Sequence, residues 1–392
     1  MQYNFDEVIN RRGTASVKWD GVETRFGDAD VLPMWVADMD FRSPEPVIEA
    51  MRRRVEEGIF GYTFRTDSYY ESIINWLSRR HGWKVERDWL SHGPGVVAAL
   101  GFIVSAFTEP GDGVIIQPPV YYPFKRVIES HERGLVLNPL RLVDDHYEMD
   151  FDDLREKVKH AKMLILSNPH NPVGRVWTRE ELLQLGEICL AAGVLVVSDE
   201  IHSDLIFKGH QHTPFASLSE LFANHSVTCI APSKTFNLAG LQTAVTILPN
   251  PDLKEKYEKV LALHSVNATN VFGAAALESA YNYGEPWLEQ LLDYLLGNLE
   301  FLVEFFRTNL PEIKVFKPEG TYLVWLDFRS LDLEPKALDE LLVKDAQVAL
   351  DEGHLFGDEG NGFQRINIAC PRSLLETGLK QIAQAVTVYK DR

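Results

Sequence analysis

The sequence predicts an α/β protein: a large domain on a mostly parallel sheet covered by helices, followed by a smaller α+β domain. Three observations carry this. Short β-branched runs alternate with helical stretches from about residue 90 to 250, the pattern of crossover-connected parallel strands. After Pro286 the texture changes to a long helical segment followed by strand-like runs. The chain of 392 residues also exceeds what one core holds, since about 150 residues per domain gives two or three.

The strand candidates, in order, are "GVIIQ" (113–117), "GLVLNPL" (134–140), "KMLILSNP" (162–169), "VLVVSDE" (194–200), "SVTCIAPSK" (226–234) and "LQTAVTIL" (241–248). Between them lie amphipathic stretches such as "TREELLQLGEICLAAG", whose Leu182, Leu185 and Ile188 recur at helical spacing before Gly193 stops the helix. Beyond the long segment "PWLEQLLDYLLGNLEFLVEFFRTNL" come strands in "IKVFKP" and "TYLVWLDF", a helix around 335–346, the strand "FQRINIAC" and a final helix. The expected division is an N-terminal arm over 1–50 that packs with the small domain, a large domain over 51–285 and the small domain over 286–392. In such a sheet, functional residues belong at the C-terminal ends of the strands.

Charge and composition narrow the partners. Lys and Arg total 39 against 57 Asp and Glu, a formal −18, which repels nucleic-acid phosphates and anionic membranes and leaves small molecules as the expected partners. The longest apolar run, "GVVAALGFIVSAF" (95–107), suits a buried helix and is too short to span a bilayer. Three widely spaced cysteines in apolar segments, Cys189, Cys229 and Cys370, fit neither a disulfide framework nor a CxxC metal site and point to a reducing cytoplasm. No secretory signal is visible in "MQYNFDEVINRRG".

The stretch "APSKTFNLAG" (231–240) places a lone lysine, Lys234, between two runs that read as buried strands. Such a lysine must reach solvent, find a carboxylate, or be consumed by chemistry. Neighbouring strands end in Asp199-Glu200-Ile201-His202, in "NPHNPVG" (168–174) and in "PPVYYPF" (118–124), while Gly95 opens a helix. Singly these read as a cap, a turn, core aromatics and loop punctuation.

Together, and in this order, they resemble the fold-type I family of pyridoxal 5'-phosphate enzymes, the aspartate aminotransferase superfamily, over nearly the whole chain. The stretches "LPMWVADMDF" (32–41), "PPVYYPF", "SDEIHSDL" and "PSKTFNLAGLQ" are most similar to the cystathionine β-lyase/cystalysin branch of carbon–sulfur lyases. The resemblance implies a seven-stranded sheet in the large domain and a homodimer with shared active sites. It also implies that Lys234 condenses with the cofactor aldehyde, and that Asp199 pairs with the pyridine nitrogen to keep the ring an electron sink. By the same resemblance Asn171 donates to the ring oxygen, Tyr121 stacks on one ring face with Ile201 against the other, and His202 lies where some relatives carry a tyrosine. A structural role for that histidine is equally open. The Val96 and Val97 amides after Gly95, with the Ser233 hydroxyl, fill the phosphate site, and Tyr62 in "GIFGYTF" (58–64) matches the tyrosine that crosses to the neighbouring subunit. Arg365 in "FQRINIAC" matches the arginine that holds the substrate α-carboxylate, with a structural salt bridge as the alternative; Tyr122 either faces the substrate or packs.

One departure stands out. Many aminotransferases carry a phosphate-binding arginine eight residues after the lysine, and here that position is Gln242. The lyase branch also commonly lacks it. The implied activity is α,β-elimination from L-cysteine S-conjugates such as L-cystathionine to a thiol, pyruvate and ammonia, without a metal. An aminotransferase on the same scaffold and a regulatory, partner-binding protein that retains the cofactor remain the alternatives.

Overall fold

The computed structural model describes residues 2–266 and 268–391. The large sheet has seven strands, in the spatial order Leu90–Gly93, Ala244–Ile247, Ser226–Ile230, Leu195–Asp199, Met163–Ser167, Gly113–Ile116 and Gly134–Leu137. The last five are parallel to one another, and Ala244–Ile247 runs antiparallel to both of its neighbours. Four of the central strands are buried at every position, as expected where helices cover both faces. The strand absent from the sequence reading is Leu90–Gly93: "LSHG" carries a single aliphatic residue, so it has no hydrophobic signature of its own and owes its state to pairing.

The helices follow their local signals. Over Arg179–Ala192 the side chain of Thr178 accepts from the Glu181 amide while Glu181 returns a bond to the Thr178 amide, and Gly193 ends the helix at φ 68°. This is a capping box with a left-handed glycine stop. The long helix Glu285–Asn309 buries Trp287, Leu288, Leu291, Leu295, Leu299, Leu302 and Phe306 along one stripe. Each such side chain contributes about 1.5–3 kcal/mol when removed from water. Against that stripe pack N-terminal residues: the Phe5 ring lies 5.7 Å from Trp287 and 5.1 Å from Phe41.

The second sheet is antiparallel, in the order Lys314–Phe316, Leu323–Asp327, Phe363–Asn367 and Asp351–Glu352. Asp351 is the register partner of Arg365 there. The short pair Leu32–Pro33 with Val348–Ala349 ties the N-terminal segment to this region. The helix expected around 335–346 is α-helical over Pro335–Glu340 and then widens to one π-type turn over Leu341–Asp345.

Candidate active site

The parallel strands end level with one another: Ser167 is the register partner of Asp199, and Asp199 of Cys229. Their C-terminal loops therefore open on one place, a cavity of about 360 Å³. Its walls bring together ten of the residues singled out in the sequence: Gly95, Val96, Val97, Tyr121, Asn171, Asp199, Ile201, His202, Ser233 and Lys234. Gln242, the position of the missing arginine, also lines it.

Lys234 sits in a single helical turn, Pro232–Thr235, that begins as soon as the buried strand Ser226–Ile230 has ended and Ala231 has taken an extended conformation. Its Nζ donates to the carbonyl oxygen of Ala37 at 2.6 Å. Burial first, and the Arg365 charge second, pull the amine down to about 8, against the opposing pull of Asp38 and Asp199. Across the cavity, Asp199 is 6% exposed, and among the described residues its hydrogen bond comes from the Ile201 amide at 3.1 Å. Burial, only partly offset by that amide and by Lys234, pushes its carboxyl up to about 7. A buried acid raised this far lacks a cation beside it.

Asn171 has its orientation set from behind. Its Oδ1 accepts from Arg365 Nη1 at 3.0 Å, and because a guanidinium can only donate, the Nδ2 amide is left for the cavity that Asn171 lines. His202 is buried, its Nδ1 has no hydrogen-bond partner among the described residues, and its ring stands edge-on to Tyr322 at 6.1 Å. Burial, then the Lys234 and Arg365 charges, hold it well below the usual imidazole range, so it is neutral. At the opposite end, the helix Val96–Phe107 starts behind Gly95, which has φ 149° and caps with no side chain. A Cβ there would meet no atom within 4 Å: glycine is needed for the backbone angle, and open space lies over uncapped amides. Uncapped first-turn amides with a hydroxyl beside them suit a phosphate. The donor set thus fits pyridoxal 5'-phosphate, with a primary amine for its aldehyde, a buried acid lacking a cation for its ring nitrogen, an amide donor for its ring oxygen and a helix start for its phosphate.

Three residues lie elsewhere. Arg365, 2% exposed, stands behind Asn171 and ion-pairs with Asp351 at 2.5 Å; its Nε has no partner among the described residues. Such a buried pair offsets its desolvation only with further hydrogen bonds, and the Trp35 carbonyl supplies one at 2.9 Å. Tyr122 packs its ring 5.5 Å from Tyr121 and 5.5 Å from Phe356. Tyr62 is fully exposed, in a run with exposed Ile59, Phe60 and Phe64.

The sequence reading missed the wall formed by residues 35–39. Five consecutive carbonyls are held there: Trp35 by Arg365, Val36 by Asn367 (2.6 Å), Ala37 by Lys234 and by the Tyr322 hydroxyl (2.9 Å), Asp38 by Asn367 (2.7 Å), and Met39 by Asn237 (3.0 Å). "MWVADMDF" signalled a special segment, but its contribution is backbone and so carries no residue signature. Asp351 had a legible cue, a lone arginine in a buried strand that needs a carboxylate.

Comparison with known proteins agrees with this geometry. The chain is 47% identical to cystathionine beta-lyase PatB of Bacillus subtilis (strain 168) over 98% of its length and 100% of that protein's. It is 33% identical to protein MalY of Escherichia coli (strain K12), covering 99% and 100% of the two chains. Cystalysin from Treponema denticola, whose crystal structure contains pyridoxal 5'-phosphate, superposes with a TM-score of 0.95 at 39% identity, over 99% of this chain and 100% of the other. The PLP-bound C-S lyase from Staphylococcus hominis superposes at 0.92 with 36% identity, over 98% of each chain. With residues 29–382 matching the pattern of aminotransferase class I and II, the chain belongs to that family.

Proposed function

We propose that this protein is a pyridoxal 5'-phosphate-dependent carbon–sulfur β-lyase that converts L-cysteine S-conjugates such as L-cystathionine, with water, to a thiol, pyruvate and ammonia. The observation that carries the reading is one cavity walled at once by the Lys234 amine, the Asp199 carboxyl, the Asn171 amide and the helix start behind Gly95. The bound cofactor supplies an electron sink for the charge left at Cα.

The chain's own residues do the rest. Lys234 would hold the cofactor aldehyde and, as a free amine, would take the Cα proton. The lowered pKa makes the neutral amine more available near pH 7 than that of an ordinary lysine. Asp199 would pair with the pyridine nitrogen and, beside a cation, would be held in its charged form. Asn171 Nδ2 would donate to the ring oxygen, with neutral His202 nearby, and Tyr121 and Ile201 would flank the ring. The Val96 and Val97 amides, at the positive end of their helix, and the Ser233 hydroxyl receive the phosphate; Gln242 adds a neutral donor. Arg365 holds the substrate α-carboxylate, with its unpartnered Nε as support, and Tyr122 borders that place.

The active form in this proposal is a homodimer in which Tyr62 reaches the neighbouring phosphate. The exposed run Ile59, Phe60, Tyr62 and Phe64 supports a covered interface, since aromatic patches of this kind mark contact surfaces. The boundaries near residues 50 and 285 belong to the same reading, supported by the two sheets that fall on either side of the second boundary. No helix among the described residues is long and apolar enough to cross a membrane. A cytoplasmic site is supported by three buried, free cysteines.

The test is incubation of the purified holoenzyme with L-cystathionine and no 2-oxo acid. Sustained pyruvate and thiol release over many turnovers is expected. A strict requirement for a 2-oxo acid assigns the protein to the aminotransferases instead.

A further inference from the structure

Lys234 is carried by a turn too short to fix its own direction. Pro232–Thr235 spans four residues, and its backbone bonds run from the Phe236 amide to the Pro232 carbonyl at 2.9 Å and from the Leu238 amide to the Ser233 carbonyl at 3.0 Å. One turn of helix bears the cost of nucleation without the gain of propagation, so the way it presents its side chains is set by what grips it. Toward the cavity, Nζ donates to the Ala37 carbonyl, a bond made by the reacting atom itself.

A second grip lies on the next residue. Thr235 is fully buried, and its Oγ1 donates to Asp204 Oδ2 at 2.8 Å. The other oxygen of Asp204 lies 2.8 Å from His81 Nε2 and accepts from Trp76 Nε1 at 3.2 Å, both from the helix Asp67–His81. Burial works against the charge of Asp204, and the hydrogen bonds from His81 and Thr235 outweigh it, holding the carboxyl below its ordinary value. An ionised carboxylate only accepts, so three donors converge on it without conflict, and each bond is charge-assisted. Threonine has few χ1 rotamers, so fixing Oγ1 fixes the backbone of residue 235. Successive side chains in a helix stand about 100° apart, and Thr235 pinned toward Asp204 turns Lys234 toward the cavity. Asp204 and His81 belong to the walls of a separate cavity, outside the space that receives the cofactor.

We propose that Asp204 is a positioning residue for the Lys234 amine, fixing through the Thr235 hydroxyl the turn that aims this lysine at the cofactor aldehyde and at the Cα proton. The assignment rests on the reading of Lys234 as the amine that links the cofactor. A misplacement of about 1 Å in such a group costs on the order of a hundredfold in rate.

The experiment titrates holoenzyme carrying Thr235→Val or Thr235→Ser with pyridoxamine 5'-phosphate and follows loss of the visible absorbance of the lysine-linked cofactor. The competitor shares every ring and phosphate contact but has no aldehyde, so the displacement ratio reads the lysine linkage alone. In Thr235→Val the ratio should shift toward the competitor by about tenfold, and kcat for pyruvate release from L-cystathionine should fall by about tenfold or more with KM within about threefold. Thr235→Ser, which keeps the hydroxyl, should restore both to within about threefold of wild type. A wild-type ratio and kcat in Thr235→Val overturn the anchor. A lowered kcat with an unchanged ratio also overturns it, since general loosening of the site weakens both cofactor forms alike. If Thr235→Val does not fold, Asp204→Asn, which keeps the shape and replaces a charged acceptor with a neutral amide, decides by the same ratio. If borohydride does not label Lys234 in wild type, the cofactor reading of that lysine fails and the anchor with it.

Discussion

Lys234 and Tyr322 donate to one and the same acceptor, the Ala37 carbonyl oxygen, at 2.6 and 2.9 Å. A carbonyl shared in this way gives less to each donor than it would give to one. The phenol therefore weakens the hold of that oxygen on the ammonium form of the lysine.

Tyr322→Phe removes the competing donor. The Lys234 amine, now about 8, should rise, because a hydrogen bond that favours the charged form raises the pKa of an amine. The acidic limb of the kcat–pH profile, which requires the neutral amine, should move to higher pH. A profile that does not move means the two donors do not compete.

Asp199 gives a stability prediction for the cofactor-free protein. Its folded pKa of about 7 lies above the usual carboxylate value of about 3.9, so the folded state binds more protons between those limits and stability falls as pH rises through them. Asp199→Asn, which has no charge to bury, should make the apoprotein more stable than wild type at pH 7.5, by a few kcal/mol in denaturant melts. The gap should close near pH 4. The same variant should bind pyridoxal 5'-phosphate more weakly; equal stabilities at pH 7.5 would contradict the raised acid.

Arg365→Ala should lower kcat/KM by roughly 2–5 kcal/mol, the range for deleting one partner of a buried charged pair. Part of the effect will be structural, since the Asn171 Oδ1 loses its donor and Asp351 is left with Arg25 alone. Arg365→Lys separates the two: charge beside Asp351 is kept while the planar fork is lost. A rise in KM in that variant with an unchanged melting temperature identifies substrate binding.

Inactive Tyr62→Ala and Lys234→Ala subunits, mixed under exchange conditions, should regain partial activity, because one site of each heterodimer has both native residues. Lys234→Ala should retain noncovalently bound cofactor, and borohydride reduction of wild type should label Lys234. Full activity in a monomeric fraction of the wild type would exclude the shared site.

Much of the architecture and of the cavity was legible because strand ends carry their own marks. Lys234, Asp199 and Asn171 each follow a buried apolar run, and a charged or amide residue in that position is conspicuous. Leu90–Gly93 was not legible, since a four-residue edge strand with one aliphatic residue is made by its neighbour. Nor were Tyr322 and the wall at residues 35–39: Tyr322 directly precedes an apolar strand and looks like core, and a carbonyl has no letter in the sequence. Arg365 shows the limit from the other side. Its type announces a carboxylate partner, but register alone decides that Asp351 lies opposite it.

The wall at residues 35–39 has a consequence for how this chain can vary. Its grip is through main-chain oxygens taken in unbroken succession by side chains from two distant stretches, Lys234 with Asn237 and Arg365 with Asn367, so the identity of the gripped residues matters less than their count. Replacing a side chain there leaves the oxygen in place. Inserting or deleting one residue moves every oxygen to the wrong donor at once, and no single compensating substitution elsewhere can restore five bonds. The length of this segment is therefore locked more tightly than its spelling, Asp38 with its carboxylate on Arg11 being the exception.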